Sequence, residues 1–266
     1  ASREDDFVEH MFIASTHHYI MFFTDKGRCY WLKVHEVPEG GRTSKGRSIA
    51  NLLEKPSDEH ITAFINVKTF DDQHYVTMVT EQGTIKKTVL SAYGNVRRTG
   101  IQAITLDDKD KLKDVRLTDG TQEIVIGTHE GMACRFNEKD VRDMGRTAGG
   151  VRGITLDKGD IVIGMIAPKR TGTSVLVVSE EGYGKRSDIS DYRLTKRGGK
   201  GVITMKATEK TGKLIAIKEV VDNDDLIVVT KDGLVIRQHV HELRVMGRNT
   251  QGVRVVRLAE GDRVAA

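Results

Sequence analysis

An arginine recurs at a fixed distance from a glycine along this chain of 266 residues. Arg42, Arg98, Arg146, Arg197 and Arg248 each stand fifteen residues after Gly27, Gly83, Gly131, Gly182 and Gly233. In four cases a second glycine follows four residues later, at Gly46, Gly150, Gly201 and Gly252. The second repeat departs, with Gly100 two residues after Arg98. A guanidinium stays charged near neutrality and pairs with phosphate oxygens through two parallel N–H···O bonds. Glycines beside it let the backbone turn tightly and approach an anion closely. The same arginine is equally suited to capping a turn by donating to backbone carbonyl oxygens. The residue pattern alone leaves both readings open.

Further cations accompany these arginines. Lys45, Arg47, Arg97, Lys196 and Lys200 flank them in the loops. A second set sits three and four residues after the first glycine: Lys86 and Lys87, Arg135, Lys185 and Arg186, and Arg237. The first repeat has Tyr30 and Trp31 there instead. Strand alternation predicts that one of each adjacent pair points outward. Residues 151–200 carry ten basic and six acidic side chains, against eight and ten in residues 101–150. The fourth repeat is therefore expected among the strongest sites for a polyanion.

Other chemistries find little support. His17 and His18 alternate across a strand, and His239 and His241 share a face without an evident third metal ligand. Asp222–Asp225 lacks the glycine and terminal glutamate of an EF-hand loop and reads as a hairpin turn. The glycines form no Walker A or dinucleotide fingerprint. Cys29 and Cys134 are far apart and form no zinc-type pair. Aromatic residues are 5%, which argues against stacking on single-stranded bases.

The elements that must carry the loops are legible as hairpins. Each first glycine ends a four-residue turn of hydroxyl residue, two polar residues and Gly: Thr24–Gly27, Thr80–Gly83, Thr128–Gly131, Ser179–Gly182 and Thr230–Gly233. Apolar runs flank each turn, and Gly supplies the positive φ that a tight hairpin needs. After each arginine loop comes another alternating strand, such as Val151–Leu156 or Val253–Leu258. Each unit thus holds about four short strands in roughly 50 residues, the signature of propeller-like blades. Helical periodicity is not sustained anywhere. The expected repeats run 6–57, 58–111, 112–159, 160–212 and 213–262 within a single all-β domain spanning 1–266. Gly261–Ala266 matches Gly159–Gly164, where a new blade begins, and Phe7–Ala14 reads as the first strand of a blade. A sixth blade completed by residues outside the chain is consistent with this. The balance of 42 basic and 38 acidic residues, the formal charge of +4 and 27 glycines against 3 prolines describe a turn-rich, weakly basic domain. No apolar run approaches the ~18 residues of a membrane helix. The expectation is a reduced, cytoplasmic, soluble protein with no membrane partner.

At these landmarks the sequence resembles the C-terminal domain of DNA gyrase A, across essentially its whole length. The matching stretches include Gly46–Leu53, Gly83–Thr88, Gly149–Ile154, Gly182–Arg186 and Val245–Val253. The resemblance implies a six-bladed β-pinwheel whose blades exchange a strand. It implies a non-enzymatic module of an ATP-dependent type II topoisomerase that wraps double-stranded DNA without sequence preference and so enables negative supercoiling. The partners implied are DNA, the rest of gyrase A, and gyrase B. ATP, Mg and the cleavage tyrosine belong to other parts of the enzyme, and no cofactor is expected here. The DNA-binding residues expected are Arg42, Lys45, Arg47, Lys86, Lys87, Arg97, Arg98, Arg135, Arg146, Lys185, Arg186, Lys196, Arg197, Lys200, Arg237 and Arg248. One departure stands out. The family's Gln-Arg-Arg-Gly-Gly-(Lys/Arg)-Gly box is expected before the segment at Phe7, whereas the near copy in this sequence is Thr195–Gly201. Alternatives are the related domain of topoisomerase IV, which senses DNA geometry, and a propeller-like scaffold for proteins.

Overall fold

The computed structural model describes residues 14–41, 44 and 52–266. Among them the helical pieces are single 3-10 turns, and no helix is long and apolar enough to cross a membrane. The five polar turns close as their composition dictates. In each, the glycine N–H bonds back to the carbonyl of the hydroxyl residue, as in Gly83 to Thr80 at 3.1 Å and Gly182 to Ser179 at 3.1 Å. The hydroxyl then accepts from the residue after the glycine, as in Thr84 N to Thr80 Oγ1 and Met132 N to Thr128 Oγ1, both 3.1 Å. The side chain thereby satisfies an amide that the turn would otherwise leave without a partner, which explains why Ser or Thr opens each turn.

In chain order the strands are β1 (Tyr19–Thr24), β2 (Arg28–Lys33), β3 (Ile61–Val67), β4 (Tyr75–Thr80), β5 (Thr84–Val89), β6 (Ile101–Gln102), β7 (Leu112–Thr118), β8 (Glu123–Thr128), β9 (Met132–Asn137) and β10 (Val151–Arg152). They continue as β11 (Val162–Ile166), β12 (Ser174–Ser179), β13 (Tyr183–Asp188), β14 (Leu194–Thr195), β15 (Val202–Ile203), β16 (Leu214–Val220), β17 (Asp225–Val229), β18 (Val235–His239) and β19 (Val253–Arg254). Three sheets are four-stranded, in the orders β3-β1-β2-β6, β10-β5-β4-β7 and β16-β12-β13-β19. A fourth has the order β11-β8-β9-β14, with β15 also on β9, and the fifth is the hairpin β17-β18.

The fold is therefore all-β and built of propeller-like blades. The blade count differs from the six implied by the resemblance. The described residues hold four full blades and a two-stranded fifth. The cause lies in how a blade is assembled. Its central hairpin comes from one repeat and both flanking strands come from the next: β3 and β6 join β1–β2, and β16 and β19 join β12–β13. At β17–β18 the corresponding place holds the single bridge between Thr230 and Val264. Repeat and blade are thus offset along the chain.

The chain divides into two compact units. The first holds the described residues up to Thr121 with Val141–Arg152, and its core joins Met21, Phe23 and Cys29 to Val76, Met78 and Leu112. The second holds Gln122–Asp140 with Gly153–Ala266. There Val125 and Ala133 pack with Val175, Val177 and Ile217, while Leu176 and Val178 pack with Val228 and Val240. All six residues of β12 are buried, so this strand is covered on both faces, and its middle, Val175–Val178, reads as a continuous apolar run. Each such side chain contributes about 1.5–3 kcal/mol on burial.

Candidate nucleic-acid interface

Two of the loops that carry the recurring arginines, those of Arg146 and Arg248, are held against the preceding hairpin by buried lysines. Lys86 on β5 and Lys185 on β13 are both 0% exposed. The ammonium of Lys86 donates to the carbonyl oxygens of Ala103 and Arg146. That of Lys185 donates to Gly247 O at 3.0 Å, to Arg248 O, and to Thr250 O at 3.2 Å. Burial opposes the charged form and lowers Lys86 to about 7, helped by the nearby Arg146 guanidinium. The same causes, with Arg248 as the neighbour, lower Lys185 to about 8.

These placements correct the expectation from strand alternation. Lys87 and Arg186 are buried beside them, so neither member of either pair points outward. The reason is that β5 and β13 have both faces covered, and period-two alternation then no longer separates core from solvent. The buried cations bond the protein itself. Arg186 approaches the carbonyls of Val240 and Leu243 at 3.4 Å, Ser174 Oγ at 3.1 Å and the Asp222 carboxylate at 2.8 Å. Arg135, half-buried, repeats this with Ile189 O at 3.1 Å, Tyr192 O at 2.8 Å and Glu123 at 2.7 Å. Lys87 lies 5.0 Å over the Tyr75 ring. Lys86, Lys87, Lys185 and Arg186 thus have their charged groups buried in the fold and engaged with the protein's own groups. Arg237 is exposed and paired with Asp225, which also accepts from His239 at 2.6 Å.

The recurring arginine bonds carbonyls as well, from a half-buried position. Arg197 Nε donates to Asp140 O at 2.9 Å and Arg248 Nε to Asp191 O at 3.0 Å. Arg248 also donates to Ile203 O at 2.8 Å, and Arg146 donates to Gln102 O. The turn-capping chemistry is therefore present at Arg146, Arg197 and Arg248. In the shortened second repeat, Arg97 and Arg98 are both exposed. Arg42, Lys45 and Arg47 lie outside the described residues.

The loop backbone leaves no room for a side chain where it meets the neighbouring hairpin. Gly150 has φ +93°, and a Cβ there would sit 2.5 Å from Ile85 O. Gly145, five residues earlier, faces open space. Met144 N and Met246 N donate to Lys87 O and Arg186 O at 2.9 Å, which anchors the entry of two of the loops.

The loop of the fourth repeat presents an excess of cations to solvent. Lys196 and Lys200 are exposed, and Lys200 lies 3.4 Å from Asp157 with both groups largely in water. A cleft of about 290 Å³ opens here, lined by Arg135, Arg193, Thr195 and Lys200. A further set of cations was missed by the sequence reading. Arg142, Arg193 and Arg244 stand eleven residues after Gly131, Gly182 and Gly233, and all three are exposed. The same count from the turn glycine that reveals Arg146, Arg197 and Arg248 also reveals them.

Comparison with known proteins bears on the family and the bladed fold. The model of the DNA gyrase C-terminal domain, beta-propeller family, matches residues 18–68, 74–119, 122–169, 173–220 and 224–266. The DNA gyrase A protein of Clostridium acetobutylicum is 47% identical over 265 residues, covering 100% of this chain and 32% of that protein. The gyrase A protein of Staphylococcus epidermidis is 44% identical over 264 residues, covering 98% and 30%. The chain thus spans about a third of the length of these relatives. Among solved structures, a DNA gyrase A C-terminal domain matches with TM-score 0.83 and 26% identity, covering 95% of this chain and 82% of that one. The C-terminal domain of a DNA topoisomerase IV matches with TM-score 0.84 and 28% identity, covering 94% and 78%. By the family model, the identity to these relatives and the bladed fold, the chain belongs to the DNA gyrase A C-terminal domain family.

Proposed function

We propose that this chain acts as one duplex-DNA-binding domain that holds the phosphate backbone on its arginine loops and bends the duplex along its basic edge. In the assembled gyrase this wrapping would enable negative supercoiling. The rest of gyrase A, together with gyrase B, would supply the cleavage tyrosine, the ATPase and its Mg, in the bacterial cytoplasm. The observation that carries the reading is the set of exposed cations Arg97, Arg98, Lys196 and Lys200 on loops whose backbone is pinned to the neighbouring blade. Cations on a pre-ordered backbone contact phosphates without reading base edges, which suits sequence-independent binding. Counterion release then makes the affinity fall steeply with salt. Of the sequence-assigned residues that the structure describes, Arg97, Arg98, Lys196, Lys200 and Arg237 are exposed, and Arg237 is paired with Asp225. Arg146, Arg197 and Arg248 add half-buried guanidinium groups that also brace the loops.

The test is a salt-titrated mobility shift on duplexes of unrelated sequence, joined to the linking-number shift of a nicked circle religated with the domain bound. Sequence-blind, salt-sensitive binding with a linking-number shift supports the reading. Binding without a shift fits the topoisomerase IV type of geometry sensing, which the similar likeness to that domain favours as second reading. Absence of binding would leave a protein scaffold.

A further inference from the structure

We infer that Arg142, Arg193 and Arg244 are the principal phosphate-gripping residues of the last three complete arginine loops, while the arginine four positions further on chiefly holds each loop in shape. This rests on the DNA-binding reading above and assigns that role within the loop.

The backbone on either side of each arginine sets its direction. The residue before it is a buried anchor: Val141 is 1% exposed, Tyr192 1% and Leu243 4%. The residue after it pairs in parallel with the preceding hairpin: Asp143 with Lys87, Leu194 with Arg135, and Val245 with Arg186. A residue fixed between an inward anchor and a bridging neighbour must project its side chain away from the blade. Arg142, Arg193 and Arg244 do so and are exposed. Among the described residues their side chains make no hydrogen bond or ion pair. Their backbone is already ordered, so binding orders the side chain alone.

Arg146, Arg197 and Arg248 differ in each respect. They are half-buried and donate to main-chain carbonyls of the preceding repeat. A guanidinium engaged in this way must share or break those bonds to take a phosphate, whereas the arginine four residues earlier has all its donors to give. The division is absent from the first two repeats, where Pro38 and Gly94 stand at the corresponding position. In the second repeat the exposed pair Arg97 and Arg98 takes the place of the missing cation. Asp143 adjoins Arg142 in sequence, so Arg142 contributes less than Arg193 and Arg244.

The experiment uses the 266-residue chain. Fluorescence anisotropy measures its affinity for duplexes of unrelated sequence between about 50 and 200 mM salt. Three variants are compared with it: Arg142→Ala/Arg193→Ala/Arg244→Ala, the same positions changed to Lys, and Arg146→Ala/Arg197→Ala/Arg248→Ala. Thermal melts accompany every titration. The first variant is expected to keep its melting temperature, with a log K against log[salt] slope shallower by about 2–3 for three lost phosphate contacts. The lysine variant should restore most of the slope, because charge rather than bidentate geometry sets it. The third variant should melt at lower temperature. An unchanged slope in the first variant, while the unsubstituted chain binds, overturns the assignment and leaves the DNA-binding reading intact. So does a slope change that tracks a loss of folded fraction. Should the unsubstituted chain show no salt-sensitive binding, the underlying reading fails with it.

Discussion

The side-chain nitrogen of Lys185 donates to the main-chain carbonyl of Arg248, 63 residues further along the chain. Lys86 and Arg146 repeat the relationship across 60 residues. In both, a lysine just past a hairpin turn holds the loop that carries the next repeat's arginine. With its own carbonyl held by the lysine, the arginine's guanidinium bonds elsewhere: to Asp191 O from Arg248 and to Gln102 O from Arg146. The contact links hairpin, loop and surface charge in one chain of bonds.

Removing the lysine should therefore cost stability. Lys185→Met leaves the carbonyls of Gly247, Arg248 and Thr250 without their shared donor. Orphaning buried acceptors costs about 1–3 kcal/mol. Urea unfolding should show a midpoint lowered accordingly, with DNA affinity per folded molecule reduced through loop disorder.

Lys86 makes stability depend on pH in a defined direction. Its pKa falls from 10.5 to about 7 on folding. Between those values the unfolded chain binds more protons than the folded one, so raising the pH stabilises the fold. From pH 7 to 9.5 the unsubstituted chain should gain on the order of 1–3 kcal/mol relative to Lys86→Met. A parallel pair of stability–pH curves would refute this.

Arg186 and Arg237 occupy the same repeat position and should respond differently. Arg186 is buried and bonded to two carbonyls and Asp222, so Arg186→Ala should destabilise by about 3–5 kcal/mol. Arg237 is exposed, and losing its pair with Asp225 should cost about 0–1 kcal/mol. Thermal or urea melts of the two single variants separate the cases.

Two glycines of one loop offer a steric control. Gly150→Ala places a methyl 2.5 Å from Ile85 O at a φ of +93°, and should cost more than about 1 kcal/mol. Gly145→Ala meets nothing and should be tolerated. Equal melting temperatures for the two would show that the loop relaxes away from the hairpin.

Much of this protein could be read from local rules. A hydroxyl residue and a positive-φ glycine close each hairpin within four residues, so Thr80–Gly83 or Ser179–Gly182 announces a turn wherever it occurs. Counting from that glycine finds the arginine loops and, carried one step further, Arg142, Arg193 and Arg244. What the tertiary structure decided is which blade each strand joins and what each cation touches. β3 pairs with the hairpin before it, Lys86 and Lys185 reach loops 60 or more residues away, and Arg186 is enclosed by a turn of the following repeat. Alternation along a strand separates core from solvent when one face is wet. Here the blades cover both faces of β5 and β13, so Lys86 and Lys87, of which local pattern assigns one to the surface, both end in the interior. The charge of Lys86 is then answered by carbonyl oxygens that come together through contacts distant in sequence.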